Sequence, residues 1–279
     1  MDIAGFDTAA FVRSTLAEDL GEAGDITSAS VIPASARFNG AMDSRDAIVV
    51  AGLDIAAAFF RTLDPDVEID MRAADGDRVS AGTDLMRLSG LARAMLTAER
   101  SALNTVQHLS GIATLTRRYV DAIAGTGAIL LDTRKTIPGL RLLEKYAVRM
   151  GGAQNHRMGL WDAAMIKDNH VAVAGSVAEA VRRAKDAGIA GIILEVDRIE
   201  QIEPGLAAGA THLLLDNMSV ADIRAAVSLV AGRVPTEASG GVNLDTIRGI
   251  AETGVTYVSV GRITQSAPAA DIGLDLARA

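Results

Sequence analysis

Between Asp132 and His170 the chain gathers side chains suited to holding a small ligand with several negative charges. The stretch opens with Asp132-Thr133-Arg134-Lys135-Thr136, passes Gly151-Gly152 to Asn155-His156-Arg157, and closes on Met165-Ile166-Lys167-Asp168-Asn169-His170. Three of the four lysines of the chain fall here, Lys135, Lys145 and Lys167. Residues 132–170 carry seven Lys and Arg against four Asp and Glu, in a chain whose formal net charge is -8. A basic island in an acidic protein concentrates anions through its local field. Arg grips carboxylates and phosphates with its two-pronged fork, and Lys acts as a point charge. The plain alternative is a solvated helix face. It fits Arg141, Lys145 and Arg149, four residues apart on a helix expected to start at Pro138. It fits Arg134-Lys135, His156-Arg157 and Lys167 poorly, because each follows an apolar run or a glycine pair.

The elements that must position these groups form a repeat of architecture rather than of sequence. Short apolar runs at 128–131, 163–166, 191–194, 212–215, 234–238 and 257–260 each lead to a polar or glycine residue and then to a helical pattern. The last four end points, Glu195, Asp216, Ser239 and Gly261, lie 21, 23 and 22 residues apart. That spacing accommodates one strand, one helix and two turns, and predicts consecutive βα units of a parallel sheet. Strands buried on both faces read as continuous apolar runs. In barrels of this kind functional residues project from the carboxyl ends of the strands. One mouth would therefore receive Arg134 and Lys135, Lys167, Glu195, Asp216, Ser239-Gly240-Gly241 and Gly261. Glu195 and Asp216 could accept sugar hydroxyls or a hard cation such as Mg²⁺. The glycine-rich strand ends could cradle a phosphate on backbone amides.

Each piece has a structural alternative. Glu195 and Asp216 could each cap a helix. His108, in an apolar helix, and His212, at a strand start, read as structural. His170 reads as a cap rather than a ligand contact, and Asp132 either orients its neighbours or meets substrate. Neither a G-x-x-x-x-G-K loop nor a G-x-G-x-x-G fingerprint is present.

At 279 residues the chain can bury a barrel-sized core, or a barrel and a smaller unit. Nine aromatic residues leave Ala, Val, Ile and Leu to fill it. Acidity and scarce aromatics argue against nucleic acid as the main ligand. No apolar run approaches the roughly 20 residues of a membrane span, no secretory pattern opens the chain, and a cytoplasmic protein is expected. With no cysteine there is no thiolate ligand or nucleophile. The first half reads as a helix over Asp7 to Leu20 anchored by Phe11, Leu16 and Leu20, ended by Gly21. Strands at 37–42, 47–50, 67–71 and 84–88 and helices at 52–63 and from Leu91 onward follow. The expected division is residues 1–110 and residues 111–279, with the last helix packing back on the first part.

The motif Asp132-Thr133-Arg134-Lys135-Thr136-Ile137-Pro138-Gly139-Leu140-Arg141 resembles the quinolinate phosphoribosyltransferases. The likeness continues through Glu144-Lys145-Tyr146-Ala147-Val148, Asn155-His156-Arg157-Met158-Gly159-Leu160, Ile166-Lys167-Asp168-Asn169-His170 and Leu215-Asp216-Asn217-Met218. It extends to Glu237-Ala238-Ser239-Gly240-Gly241, Ser259-Val260-Gly261 and, earlier, Glu18-Asp19-Leu20-Gly21, Gly24-Asp25-Ile26-Thr27 and Glu99-Arg100-Ser101-Ala102-Leu103-Asn104. The resemblance implies an α/β protein: a sandwich-like N-terminal α/β domain, an incomplete TIM-like barrel, and a homodimer whose sites are completed by the neighbour. It implies transfer of a phosphoribosyl group to quinolinate with loss of CO₂, aided by Mg²⁺, in de novo NAD synthesis.

Carried over by motif, Arg134, His156, Arg157 and Lys167 would grip the quinolinate carboxylates, joined by Arg100 of a second copy. Lys135 would face pyrophosphate. Glu195 and Asp216 would hold ribose hydroxyls and the metal. Ser239, Gly240, Gly241 and Gly261 would hold the 5-phosphate, with Thr133, Val260 and Arg262 completing the lining. Lys135, Lys167, Glu195 and Asp216 are the groups expected to act on the reacting bonds. Two departures stand out: Arg262-Ile263-Thr264-Gln265-Ser266 puts Gln265 where the family usually has His, and Asp197 stands where Glu is commoner. Rival readings are a molybdenum-transport-associated paralogue, a barrel aldolase using Lys167 as a Schiff base, and a silent phosphate-ligand binding protein.

Overall fold

The computed structural model describes residues 3–276. In chain order the elements are α1 (Thr8–Leu20), α2 (Ile26–Val31), β1 (Arg37–Ser44), β2 (Ile48–Val49), α3 (Leu53–Leu63), β3 (Glu68–Met71), β4 (Arg78–Val79), β5 (Thr83–Leu91) and α4 (Ala92–Ala122). They continue with β6 (Ile129–Leu131), α5 (Arg141–Met150), β7 (Ala164–Ile166), α6 (Asp168–Ala174), α7 (Val177–Asp186), β8 (Ile192–Val196), α8 (Ile202–Ala208) and β9 (His212–Asp216). The last are α9 (Val220–Val230), β10 (Thr236–Ser239), α10 (Ile247–Ala251), β11 (Tyr257–Ser259), α11 (Arg262–Gln265) and β12 (Ile272–Leu276). Contacts divide them into two compact units, one of residues 1–117, 142–152 and 266–279, the other of residues 118–141 and 153–265.

The first unit is an antiparallel sheet in the order β12-β1-β5-β3 with helices against it. Helix α1 starts where Asp7 accepts the amide of Ala10 at 2.8 Å, a side-chain N-cap. Its buried residues are Val12 and Leu16. Phe11 and Leu20, expected as anchors, are only half-buried, Phe11 packing between Phe6 and the buried Phe59. The last helix, expected to pack back on the first part, is followed by a further strand: β12 runs antiparallel to β1, with Gly40 opposite Leu276 and Ser44 opposite Ile272. Sheet pairing decides here, since the edge of β1 offers backbone donors and acceptors that a strand satisfies. Gly111, where the sequence changes character, lies inside α4 without interrupting it. A Cβ there would collide with the Pro268 carbonyl, so this glycine marks a close crossing of the chain.

Helix α5 begins at Arg141, three residues after Pro138, and its charged residues do not form a solvated face. Lys145 is 1 % exposed and Glu144 is fully buried. Four-residue spacing shows only that side chains share a face, not that water covers it. Glu144 lies 2.9 Å from His108 Nε2, so that histidine is a satisfied structural residue. Tyr146 donates to Asp75 at 2.7 Å.

The second unit carries a six-stranded parallel sheet in the order β6-β11-β10-β9-β8-β7. The six strands are those expected from the apolar runs. Neighbours in sequence are neighbours in space from β7 to β11, and β6 then adds beside β11. Among the described residues β6 and β7 are not paired with each other, β6 meeting only Gln154 on that side in an isolated parallel bridge, which leaves the barrel incomplete. Leu130, Leu194, Leu213, Leu215, Ala238 and Val258 are at most 2 % exposed and form its interior with the helices. No helix among the described residues is long and apolar enough to cross a membrane.

Candidate active site

At the carboxyl ends of the parallel strands lies a cavity of about 670 Å³, within the usual size of a small-molecule site. Of the residues singled out from the sequence, Thr133, Arg134, Lys135, His156, Arg157, Lys167, Glu195, Asp216, Ser239, Gly240, Gly241, Val260, Gly261 and Arg262 all line it, as does Gln265. Arg100 lies on α4 in the first unit. A second cavity of about 450 Å³, in the same unit as the first, shares Arg134, Arg157, Met165 and Lys167 with it and adds an apolar wall that includes Leu160, Ala163 and Ala174.

The basic half is built from two strand ends and a loop. Asp132, fully buried at the end of β6, accepts from Asn155 Nδ2 at 2.6 Å and from the His156 amide at 2.8 Å. It orients its neighbours. Arg157 donates from Nη1 to the Ala163 carbonyl at 2.9 Å, which aims its guanidinium. Burial lowers the Arg157 pKa, the nearby Arg134 charge lowers it further, and Asp162 partly offsets both. Arg134 Nε is buried and has no hydrogen-bond partner among the described residues. Two like charges this close repel each other, and an anion between them would offset that repulsion.

Lys167 stands before α6, with its amide donating to His170 Nδ1 at 3.0 Å. His170 is thus a cap. The Lys167 ammonium pairs with Glu195 at the end of β8. A Schiff-base amine calls for a desolvated lysine, whereas the side chain of Lys167 is 45 % exposed and ion-paired. Asp216, one strand over, accepts from Asn217 Nδ2 at 2.7 Å. Neither carboxylate caps a helix: Ser219 caps α9, and Arg198 opens the turn before α8. No three His, Cys, Asp or Glu among the described residues form a group able to hold a metal by themselves. Two carboxylates beside an anion site do suit Mg²⁺, which takes one or two protein carboxylates together with substrate phosphate oxygens.

The opposite end is shaped by backbone. Gly240 has φ +94°, and a Cβ there would lie 2.9 Å from the Asn217 amide nitrogen and closer still to its Oδ1. Only glycine lets that loop fold flat against Asn217. A Cβ at Gly261 would meet Lys135 Cδ at 2.7 Å, so the Lys135 stem crosses directly over this glycine. Thr264 Oγ1 donates to the Lys135 carbonyl at 2.7 Å and ties the ends of β6 and β11 together.

The sequence reading missed Glu237 as a site residue. It lies in β10, lines the cavity and is fully buried. His156 Nε2 is 3.1 Å from its Oε2. His212 Nε2 is 3.0 Å from the same oxygen, and the His212 ring stacks on Tyr257. Burial works to raise the Glu237 pKa, yet the His156 bond and the closeness of His212, with Ser259 adding to them, outweigh it and hold it at about 2. A glutamate inside an otherwise apolar strand was the available signal, since buried charges must be paired.

Comparison with known proteins agrees with this geometry. The pattern of the quinolinate phosphoribosyl transferase C-terminal domain matches residues 112–275, and that of the N-terminal domain matches residues 25–110. The chain is 45 % identical over 274 residues to the nicotinate-nucleotide pyrophosphorylase [carboxylating] of Mycobacterium leprae, covering 95 % of each. It is 40 % identical over 261 residues to a Bacillus subtilis protein described as a probable nicotinate-nucleotide pyrophosphorylase [carboxylating], covering 93 % of this chain and 90 % of that one. The crystal structure of nicotinate-nucleotide pyrophosphorylase from Ehrlichia chaffeensis superposes with a TM-score of 0.93 at 40 % identity, covering 98 % of this chain and 99 % of the other. With both halves matched and the strand ends converging as described, the chain belongs to the quinolinate phosphoribosyl transferase family.

Proposed function

We propose that this protein transfers the phosphoribosyl group of 5-phosphoribosyl-1-pyrophosphate to quinolinate, releasing pyrophosphate and CO₂ and leaving nicotinate mononucleotide, a step of de novo NAD synthesis. One observation carries the reading. The cavity joins a close Arg134–Arg157 pair, suited to carboxylates, to a glycine-shaped end suited to a phosphate. A dicarboxylate at one end and a phosphosugar at the other fill both needs.

The residue roles follow from position. Arg134 and Arg157 take the quinolinate carboxylates, with Lys167 beside them. Glu195 and Asp216 face the ribose, where their charge favours an oxocarbenium-like carbon as the bond to pyrophosphate breaks and the bond to the ring nitrogen forms. Lys135, lying over Gly261, and Arg262 offer positive charge to the phosphates. Ser239, Gly240 and Gly241 present backbone to the 5-phosphate, and Gln265 adds an uncharged amide there. Glu195 and Asp216 would hold a Mg²⁺ ion, whose positive charge would favour departure of the pyrophosphate. Once ribosylated, the ring nitrogen is positive and adjoins C2. The electron pair left there by departing CO₂ is stabilised by that charge and then takes up a proton. The protein's task is to position the partners and to exclude water.

A homodimer with shared sites belongs to the same reading. Leu160, Trp161 and Val173 are 74, 83 and 88 % exposed, more apolar surface than one small region of a monomer usually leaves in water. In the dimer Arg100 of a second copy would join the quinolinate end. Mixing Arg100→Ala chains with Lys167→Ala chains should then restore part of the activity in heterodimers, and no recovery despite subunit exchange would exclude sharing. We place the reaction in the cytoplasm, since a substrate as highly charged as phosphoribosyl pyrophosphate does not cross a bilayer.

The deciding assay supplies pyridine-2,3-dicarboxylate, phosphoribosyl pyrophosphate and Mg²⁺ and follows product absorbance, with nicotinate as the competing acceptor. Turnover of quinolinate in preference to nicotinate is expected. Turnover of nicotinate alone, or none of either, would remove the proposal.

A further inference from the structure

We propose that Glu237 is a positioning residue for the quinolinate end: it fixes His156 with its ring hydrogen on Nε2, and His156 thereby sets the backbone of Arg157. The inference rests on the function just given and assigns Glu237, at the wall of the cavity, work done through its neighbour.

Glu237 sits in β10, between β9 and β11, opposite Leu214 and Tyr257. A carboxylate in the middle of such a sheet is costly, and an apolar side chain of similar volume is commonly neutral or more stable there. Both of its oxygens are buried, so its charge must be met by the side chains around it. A group kept under those conditions is expected to act on something else.

What it acts on is His156, which is held at three points. Its amide donates to Asp132 at 2.8 Å, and its Nε2 meets Glu237 Oε2 at 3.1 Å. Its Nδ1 accepts the Arg157 amide at 2.6 Å. An amide N–H aimed at Nδ1 requires a lone pair on that nitrogen, so the ring hydrogen resides on Nε2. An Nε2–H in a buried place requires an acceptor, and Glu237 supplies it. Both ring nitrogens are therefore engaged within the protein, and His156 meets a ligand with its ring edge rather than with a free donor. In the other tautomer two N–H groups would face each other at the Nδ1 contact. The Arg157 peptide would have to move, and with it a guanidinium anchored on Ala163. The chain of effect runs from Glu237 to His156 to Arg157, and it stops short of the phosphate end.

That limit gives the test. In the full-length protein, labelled with nitrogen-15 in its histidine rings, His156 is assigned by the signal lost in His156→Asn. The wild type should show hydrogen on Nε2 and none on Nδ1. In Glu237→Ala the ring should move to a mixture of tautomers. KM for quinolinate should then rise about tenfold or more, the usual scale for sub-ångström misplacement of a binding group, while KM for phosphoribosyl pyrophosphate stays within about twofold. Glu237→Gln, whose amide oxygen can still accept from Nε2, should lose less. Hydrogen on Nδ1 in the wild type overturns the proposal, as does a Glu237→Ala enzyme in which both KM values hold or rise together. Should both variants fail to fold, the wild-type spectrum decides alone, Nε2–H supporting and Nδ1–H refuting. Failure of the wild type to consume quinolinate would strike the functional reading instead, and the spectrum would still report on Glu237 and His156.

Discussion

Replacing Arg134 with Met should make the ligand-free protein more stable while weakening its hold on a dicarboxylate. Arg134 Nε is buried without a partner among the described residues, a condition worth about 1–3 kcal/mol of destabilisation. Arg134 also bears on Arg157, whose pKa is lowered first by burial and then by this neighbour. Met keeps an unbranched apolar stem without donor or charge, so little packing is lost. Because Arg134 is only half-buried, the low end applies, a gain of about 1 kcal/mol. For a protein of this size that raises the midpoint of thermal unfolding by about 2–4 °C. The functional loss is larger. A hydrogen bond to a charged group contributes about 1.5–3 kcal/mol, equivalent to roughly 10- to 150-fold in KM for quinolinate. Scanning calorimetry without ligand reads the first quantity, and steady-state rates at saturating phosphoribosyl pyrophosphate read the second. Quinolinate should raise the midpoint of the wild type and leave that of Arg134→Met nearly unmoved. A lower ligand-free midpoint, or an unchanged quinolinate KM, would refute the idea that these guanidinium groups are held in wait for an anion.

Lys167→Ala should abolish quinolinate-dependent pyrophosphate release with the fold intact, since its pair with Glu195 is partly exposed and worth no more than about 1 kcal/mol; retained turnover would take Lys167 out of the site. Gly240→Ala forces a side chain onto φ +94° and against Asn217, which should cost about 1–3 kcal/mol of stability and raise KM for phosphoribosyl pyrophosphate more than that for quinolinate. Equal effects on both would move the phosphate elsewhere. Glu237 titrates at about 2 in the folded chain against an ordinary 4.5. Its contribution to stability is therefore present above about pH 4.5 and is lost as pH falls toward 2. Glu237→Gln should flatten that acid limb in a series of unfolding midpoints; an identical limb in variant and wild type would show that other carboxylates govern it.

The parallel sheet was legible because burial on both faces leaves an apolar run with its polar residue at the end, as at Glu195 and Asp216. That logic brought fourteen separate positions to one cavity. Where a residue's role depends on what packs against it from afar, the pattern says little. Lys145 shares its spacing with Arg141 and Arg149 yet is buried, and periodicity does not report which face meets water. Strand β12 exists because β1 is there to pair with it. Glu237 was read as one more residue of a strand because its meaning lies in His156 and His212, which no local window contains.

The tie between Lys135 and Thr264 joins residues 129 apart in sequence, and β6, bridged to Gln154 nearby, gains its partner strand only when β11 arrives. Contacts that close so long a stretch of chain carry a large entropic cost and tend to form late. Strands β7 to β10 can zip together from nearest neighbours, but the lysine arm and the glycine beneath it meet only when the last strand docks. Catalytic competence should thus trail the bulk of secondary structure during refolding, with the phosphate-binding corner as the final joint to set.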